Sequence, residues 1–394
     1  MTKLKLQGVY DGRLYASRGR TVYEEVDGPS LRFERRGQLP VPTSGFDGMI
    51  SRAQTSGPWK RAIERVVGAF QTTNVWRFAD DMVIATAGRW LFRSVNGYDS
   101  WEPVHQLPES SSPMGLLPSG CCFHDGTIYL GEYPLDSSAT PRVLASTDGE
   151  TWEPLLSLPD VRHVHAVQVD PYTGELWLTT GDTDEESRIY RLRDGELEVV
   201  GGGSQCWRAV ELAFTPDTVL WGMDCVYAPE KHVFALDRES IGTDDPSPTS
   251  VHTVGDSVYY SASFVVEGTQ WIAFATAAEA GADSTGPGNQ RIGAGRASVI
   301  ASSAASGFTE WHTLVSYDRR LAPTDRVNPG GRLPVANAYV LLVADPDRGL
   351  FVNPYNTSSS DRTIRLLPNT WFESVDRDVP FAPSADSAID GNRR

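Results

Sequence analysis

The sequence predicts an all-β chain folded as a β-propeller of seven blades, and three observations predict it. Short apolar strands recur along the whole chain with Gly, Asp, Asn and Pro turns between them, at hairpin rather than helical spacing. A polar turn leading into tryptophan appears as Ser94-Val-Asn-Gly-Tyr-Asp-Ser-Trp101 and again as Ser146-Thr-Asp-Gly-Glu-Thr-Trp152, each followed by Glu-Pro. Looser versions lie at Asp27-Gly28, Asp194-Gly195, the turn near Asp237, Ser306-Gly307 ahead of Trp311, and the polar run before Trp371. Seven markers in 394 residues give about 56 residues per unit, the size of a four-stranded blade.

The units read as residues 1–42, 70–110, 114–159, 161–203, 205–254, 256–320 and 333–380, all within one domain spanning 1–394. Six blades is the alternative, reached if the N-terminal strands complete the C-terminal blade. Residues 43–69 are an insertion in which SGPWKRAIERVVGAF has helical apolar spacing, predicting a short helix near 57–68. Residues 279–296, rich in Gly, Ala and polar side chains, read as a mobile loop, and 381–394 as a C-terminal tail. In the marker turns the Asp or Asn closes the hairpin, Gly takes positive φ and Trp packs between sheets, so these residues and Ser146 are architecture.

The net charge is -16, with four lysines (Lys3, Lys5, Lys60, Lys231) against 51 acids. That balance excludes a phosphate backbone as partner, which needs a basic footprint. It resembles the lysine-poor, acidic surfaces of haloarchaeal-type proteins. The start, MTKLKLQGVYDG, has no apolar run of secretory type, and no stretch approaches the roughly 18 apolar residues of a membrane span. The expectation is a soluble cytoplasmic protein with no membrane partner. Cys121, Cys122, Cys206 and Cys225 form no Cys-x-x-Cys pair and read as free thiols.

Chemistry gathers in VRHVHAVQVDPYTGELWLTTGDTDEES, residues 161–187. His163 and His165 alternate at the start of one strand and so share a face. Asp170 to Gly174 closes a hairpin, and the return strand brings residues 180–186, with up to four carboxylates, back beside Arg162 and the histidines. In a blade the innermost strand starts, and the second strand ends, at the same mouth of the central channel. Starts contribute Asn74, Arg77, Cys121, Cys122, Arg162, His163, His165, Gln205, Trp207, Arg208, Tyr259 and Tyr260. Ends contribute Glu132 and Tyr133, Asp182 to Glu186, Asp224 and Tyr227, Glu279, and Asn353 with Tyr355.

The histidine pair suits proton transfer or ligation of a divalent metal, against the plainer reading of hydrogen-bonded strand histidines lining a wet channel. Arg208 either pairs structurally with Asp224 or binds a carboxylate through its guanidinium, with Trp207 as a platform for a sugar ring. His124 reads as a turn residue on the opposite face. His105, His232, His252 and His312 lie in outer strands or turns with no companion motif.

Ser146-Thr-Asp-Gly-Glu-Thr-Trp152, with the His-x-His strand start and Gly203-Ser-Gln-Cys-Trp-Arg208, resembles the sialidase-like propellers that carry Asp-box or BNR repeats, over roughly residues 70–320. Sialidases in that group share an Arg-Ile-Pro signature, which this chain lacks, so sialidase activity is not implied. The chain is similar in kind to intracellular propeller polysaccharide lyases. Their sites use histidines and a glutamine around a divalent metal, residue types supplied here by His163, His165 and Gln205.

The resemblance and the rim residues together imply a carbohydrate-active enzyme acting on an acidic, uronate-type oligosaccharide. His163, His165, Arg208 and Asp224 are the catalytic candidates, and Arg162, Gln205, Trp207, Glu132, Asp182 and Tyr355 the substrate-binding ones. Elimination would use a histidine base and Arg208 or a metal on the uronate; hydrolysis would use two of Glu132, Asp182, Asp184, Glu186 and Asp224. The alternative is a non-catalytic propeller that binds a glycan or protein on the same face.

Overall fold

A computed structural model describes residues 3–42, 45–78, 82–226, 228–243, 246–279, 295–324 and 336–375. Seven antiparallel sheets follow one another along the chain, six of four strands and a last of three, each with its strands in sequence order. Their strands span residues 5–38, 73–106, 121–157, 164–202, 209–254, 257–318 and 339–368, so each sheet falls inside one predicted unit. The fold is a seven-bladed propeller. The predicted loop at 279–296 and tail at 381–394 lie almost wholly or wholly outside the described residues, as does Tyr227.

The six-bladed alternative fails because the first four strands pair only with one another. Side chains and backbone close the ring instead of a shared strand. Asn353 of blade 7, fully buried, accepts a hydrogen bond from the Leu6 backbone N–H of blade 1 at 2.9 Å. Arg348 reaches the Glu25 carboxylate at 2.8 Å, and the Leu4 N–H donates to the Arg362 carbonyl.

Apolar strand faces meet between neighbouring blades, each junction holding its own cluster of buried residues. Between blades 4 and 5 that cluster includes Trp177, Ile189, Trp207, Leu212, Trp221 and Phe234. Glycines at two second-strand ends let the next blade's innermost strand close in. A Cβ on Gly131 would lie 2.5 Å from Val164, and one on Gly222 2.3 Å from Val258. The Gly of Gly-Glu-Tyr and of Gly-Met-Asp is therefore a packing requirement.

The marker turn at Ser146 behaves as its residues dictate. Asp148 Oδ1 accepts the backbone N–H groups of Glu150 and Thr151 at 2.7 and 2.8 Å, Gly149 has φ of 72°, and Trp152 Nε1 donates to the Gly149 carbonyl. Trp152 packs beside the blade 2–blade 3 cluster but stays partly exposed.

The insertion forms two helices, α1 (Gly45–Thr55) and α2 (Gly57–Val67), where one was expected, and α3 (Asn369–Val375) follows blade 7. Gly57 breaks the pair with φ of 86°, and Pro58 stands in the first turn of α2, where its missing N–H costs nothing. No helix among the described residues is long and apolar enough to cross a membrane. The four cysteines are free thiols.

At low ionic strength the -16 net charge is self-repelling, and 0.1 M salt already screens it beyond about 10 Å. Molar KCl is expected to raise the melting temperature; equal or higher stability in salt-free buffer would overturn this expectation.

Candidate functional site

Blade 4 builds the centre of the site. Its hairpin closes at Asp170, whose backbone N–H donates to the Glu175 carbonyl while Gly174 N–H donates back to the Asp170 carbonyl. The buried Asp170 carboxylate is gripped by Arg238 of blade 5 at 2.5 and 2.9 Å. The innermost strand (Val164–Val169) then pairs Val164 with Thr180 of the return strand (Leu176–Thr180), with a bulge between Val164 and Ala166. That bulge falls on His165. Similar irregularities fall at Gln7, at Val210 and Glu211, and at Tyr259 in other innermost strands. A bulge re-aims the side chain it carries, which is why such features gather near sites.

His163 and His165 are each 2% exposed, and their Nε2 atoms stand 3.1 Å apart. Each ring is oriented from behind: His163 Nδ1 meets the Pro134 carbonyl at 3.1 Å, and His165 Nδ1 the Ala209 carbonyl at 2.9 Å. Tyr133 stacks on His163 with ring centres 4.0 Å apart. Burial, then the neighbouring His165, holds His163 well below the usual imidazole range, and burial pushes His165 down to about 4 against the opposing pull of Asp224. Both rings are therefore neutral at pH 7.

Asp182, just past the return strand, joins them, with Oδ2 3.2 Å from His163 Nε2. It also binds Arg162 through Oδ2 and Arg208 through Oδ1 at 2.7 Å, while its backbone carbonyl accepts from Arg208 at 2.9 Å. Arg208 reaches on to Asp224 at 3.3 Å, and Gln205 lies 3.5 Å from the Arg208 guanidinium. Glu279 of blade 6 accepts a hydrogen bond from the Tyr259 hydroxyl at 3.0 Å, and Asn337 donates to that oxygen at 2.7 Å. Burial and the charge of Asp224 push the Glu279 carboxyl up to about 7. His163, His165, Arg162, Gln205, Arg208, Asp182 and Asp224 thus lie together, with Tyr133, Tyr259 and Glu279 completing the cluster.

Three proposed substrate-binding residues do not join it. Glu132 is fully buried and its carboxylate is taken by Arg142, at 2.5 Å through Nη2 and 2.9 Å through Nε. Strand alternation explains this, since Tyr133 beside it takes the site face and Glu132 the opposite one. Trp207 is 6% exposed, stacked on Trp221 at 5.4 Å and so close to Gly201 that a Cβ there would sit 2.3 Å from its ring. No face remains for a sugar. Tyr355 is buried and lies flat on Tyr339 at 5.2 Å, in the core between blades 6 and 7. Of the four acids in 182–186 only Asp182 turns inward, because the turn leaves Asp184 and Glu185 in solvent and Glu186 accepts from the Thr183 N–H.

A separate cavity of about 600 Å³, lined by none of the clustered residues, is bordered by innermost-strand residues including Gln7, Cys121, Gln168, Glu211 and Ser261, with Ser119 from the turn before blade 3. Glu211 is the lone acid of an apolar strand, and that isolation is its signal in the sequence. Its carboxylate accepts from the Ser261 N–H at 2.5 Å, and burial pushes it up to about 7.

Glu211 and Glu279 have folded pKa values above the ordinary carboxylate value, so the stability each contributes is full below that value and lost as pH rises through about 7. Unfolding midpoints taken between about pH 5 and about pH 8.5 are expected to fall less steeply for Glu211→Gln than for the unaltered chain. Identical slopes would show that Glu211 ionises normally.

No family model and no curated protein matches the chain. Among solved structures, puromycin hydrolase is similar at 11% identity and a TM-score of 0.51, over 93% of this chain and 54% of that one. A puromycin-hydrolyzing peptidase from Mycobacterium tuberculosis gives 13% identity, 93% and 53% coverage and a TM-score of 0.48. Hydrazine synthase from Kuenenia stuttgartiensis gives 11% identity, 80% coverage of each chain and a TM-score of 0.46. The chain spans about half the length of the two puromycin-cleaving proteins. At these identities the likeness concerns the fold alone.

Proposed function

We propose that this propeller is a carbohydrate-active enzyme that binds an acidic, uronate-type oligosaccharide at the mouth built by blades 4 to 6 and cleaves it by proton transfer. The observation that carries the reading is the convergence of two guanidiniums, two neutral imidazoles and three carboxylates at one end of the channel. In this reading Arg162, whose side chain is 35% exposed, and Arg208 neutralise the substrate carboxylate. Glu279, with its carboxyl near 7, moves the proton.

For elimination, ionised Glu279 takes the proton beside the uronate carboxylate, the electron pair forms the new double bond, and the glycosidic oxygen leaves with a proton from water. For hydrolysis, protonated Glu279 gives its proton to that oxygen as the glycosidic C–O bond breaks, while a water forms the new C–O bond at the anomeric carbon and releases its proton to solvent. The imidazoles serve neither step, because their free nitrogens face each other rather than open space. A binding role without turnover is supported by one observation: both arginines are already paired with acids.

The test is incubation with uronate oligosaccharides and with neutral oligosaccharides of equal length. Binding is followed by calorimetry, and products by the ultraviolet absorbance of an unsaturated sugar and by new reducing ends. Turnover of the acidic series alone is expected. Binding without product would favour the non-catalytic reading, and equal or no affinity for both series would end the proposal.

A further inference from the structure

We propose that His163, His165 and Asp182 form a divalent metal site of the zinc type, with one or more positions open to water or ligand. Both Nδ1 atoms face backbone carbonyls, which accept only, so each ring carries its proton on Nδ1. Each Nε2 is then a bare lone pair. Two such lone pairs point at each other across 3.1 Å inside a buried pocket, with a carboxylate oxygen 3.2 Å from one of them. With no proton between them they repel, and a cation between all three removes the conflict.

The spacing fits one ion. Metal–nitrogen and metal–oxygen bonds of about 2.05 Å put neighbouring tetrahedral ligands about 3.3 Å apart and octahedral ligands about 2.9 Å apart. The edges of 3.1 and 3.2 Å lie between these values, and all three ligand atoms fall within 4.8 Å of one another. The surroundings are also those of a metal centre. Backbone carbonyls fix both imidazoles from behind, and Arg208 holds the carboxylate through its other oxygen at 2.7 Å. Two imidazoles and one carboxylate suit zinc, cobalt, iron or manganese rather than calcium or magnesium, which prefer all-oxygen sites. An ion here takes Asp182 Oδ2 from Arg162 and leaves that guanidinium turned toward the open face.

The site stands on side-chain geometry and not on the proposed reaction, so its test uses no sugar. The full chain, stripped with a chelator and dialysed, is titrated with Co(II) and then Zn(II). One equivalent of Co(II) is expected to bind with visible ligand-field bands, and Zn(II) to displace it. Loss of a ligand in His163→Ala or Asp182→Asn should weaken Co(II) binding by more than about 100-fold, beyond the usual 10–100-fold effect of an outer partner.

Where a variant does not fold, nitrogen-15 spectra of the histidines in the unaltered chain decide. Two rings should show protonated Nδ1, and only their Nε2 signals should move with Zn(II). Absence of stoichiometric Co(II) binding, unchanged affinity in folded variants, or Zn(II) shifts at other histidines would overturn the site.

Discussion

Glu279→Gln is expected to lower turnover of a uronate oligosaccharide by about 10²–10⁴-fold, the usual cost of removing a positioned proton-transfer group. The amide keeps the carboxyl's shape and can still accept from the Tyr259 hydroxyl, so the fold should survive. Stability should stay level or rise above pH 7, because the unaltered carboxyl ionises there in a site that disfavours its charge. The pH profile separates the two chemistries. An ionised base makes kcat/KM rise with pH through about 7, and a protonated acid makes it fall through the same region. Either limb should vanish in the variant. Activity within tenfold of the unaltered chain, or an unchanged profile, would remove Glu279 from the reaction.

Trp221→Ala should cost about 3–5 kcal/mol of folding stability, the range for deleting a fully buried large aromatic. The ring has no exposed surface, stacks on Trp207 at 5.4 Å, leans on Phe234 at 6.0 Å and donates from Nε1 to the Cys206 carbonyl at 2.7 Å. Truncation opens a cavity between blades 4 and 5 and strands that carbonyl. Trp152→Ala should cost less, since its ring is partly exposed and its one hydrogen bond closes a surface turn. Denaturant unfolding of both variants checks the ranking. A loss below about 1 kcal/mol at Trp221, or a larger one at Trp152, would contradict the packing described.

The sequence by itself marked the limits of the repeating units, because turn residues act locally, whereas strand pairing in the structure decided that the first unit is a blade of its own and the count seven. Asp148, Gly149 and Trp152 make their contacts within one hairpin, and the pattern of such turns marks each sheet. The sequence also brought Asp182 to Arg162 and His163, since one hairpin sets that register. What faces what across blades was decided only by the tertiary structure.

Glu132 and Tyr133 are adjacent in the chain, yet one is sealed by Arg142 and the other stacks on His163. Trp207 reads as an exposed platform beside Arg208 until Gly201 and Trp221 are seen to enclose it. Glu279 owes its raised carboxyl pKa to burial and to the charge of Asp224, which belongs to another blade. The carbonyls that fix the two imidazoles come from Pro134 and Ala209, in the blades on either side. Turn chemistry is set by residues a few positions apart. Burial, ion pairing and ligand geometry depend on neighbours tens to hundreds of residues away, and only the closed ring brings those together.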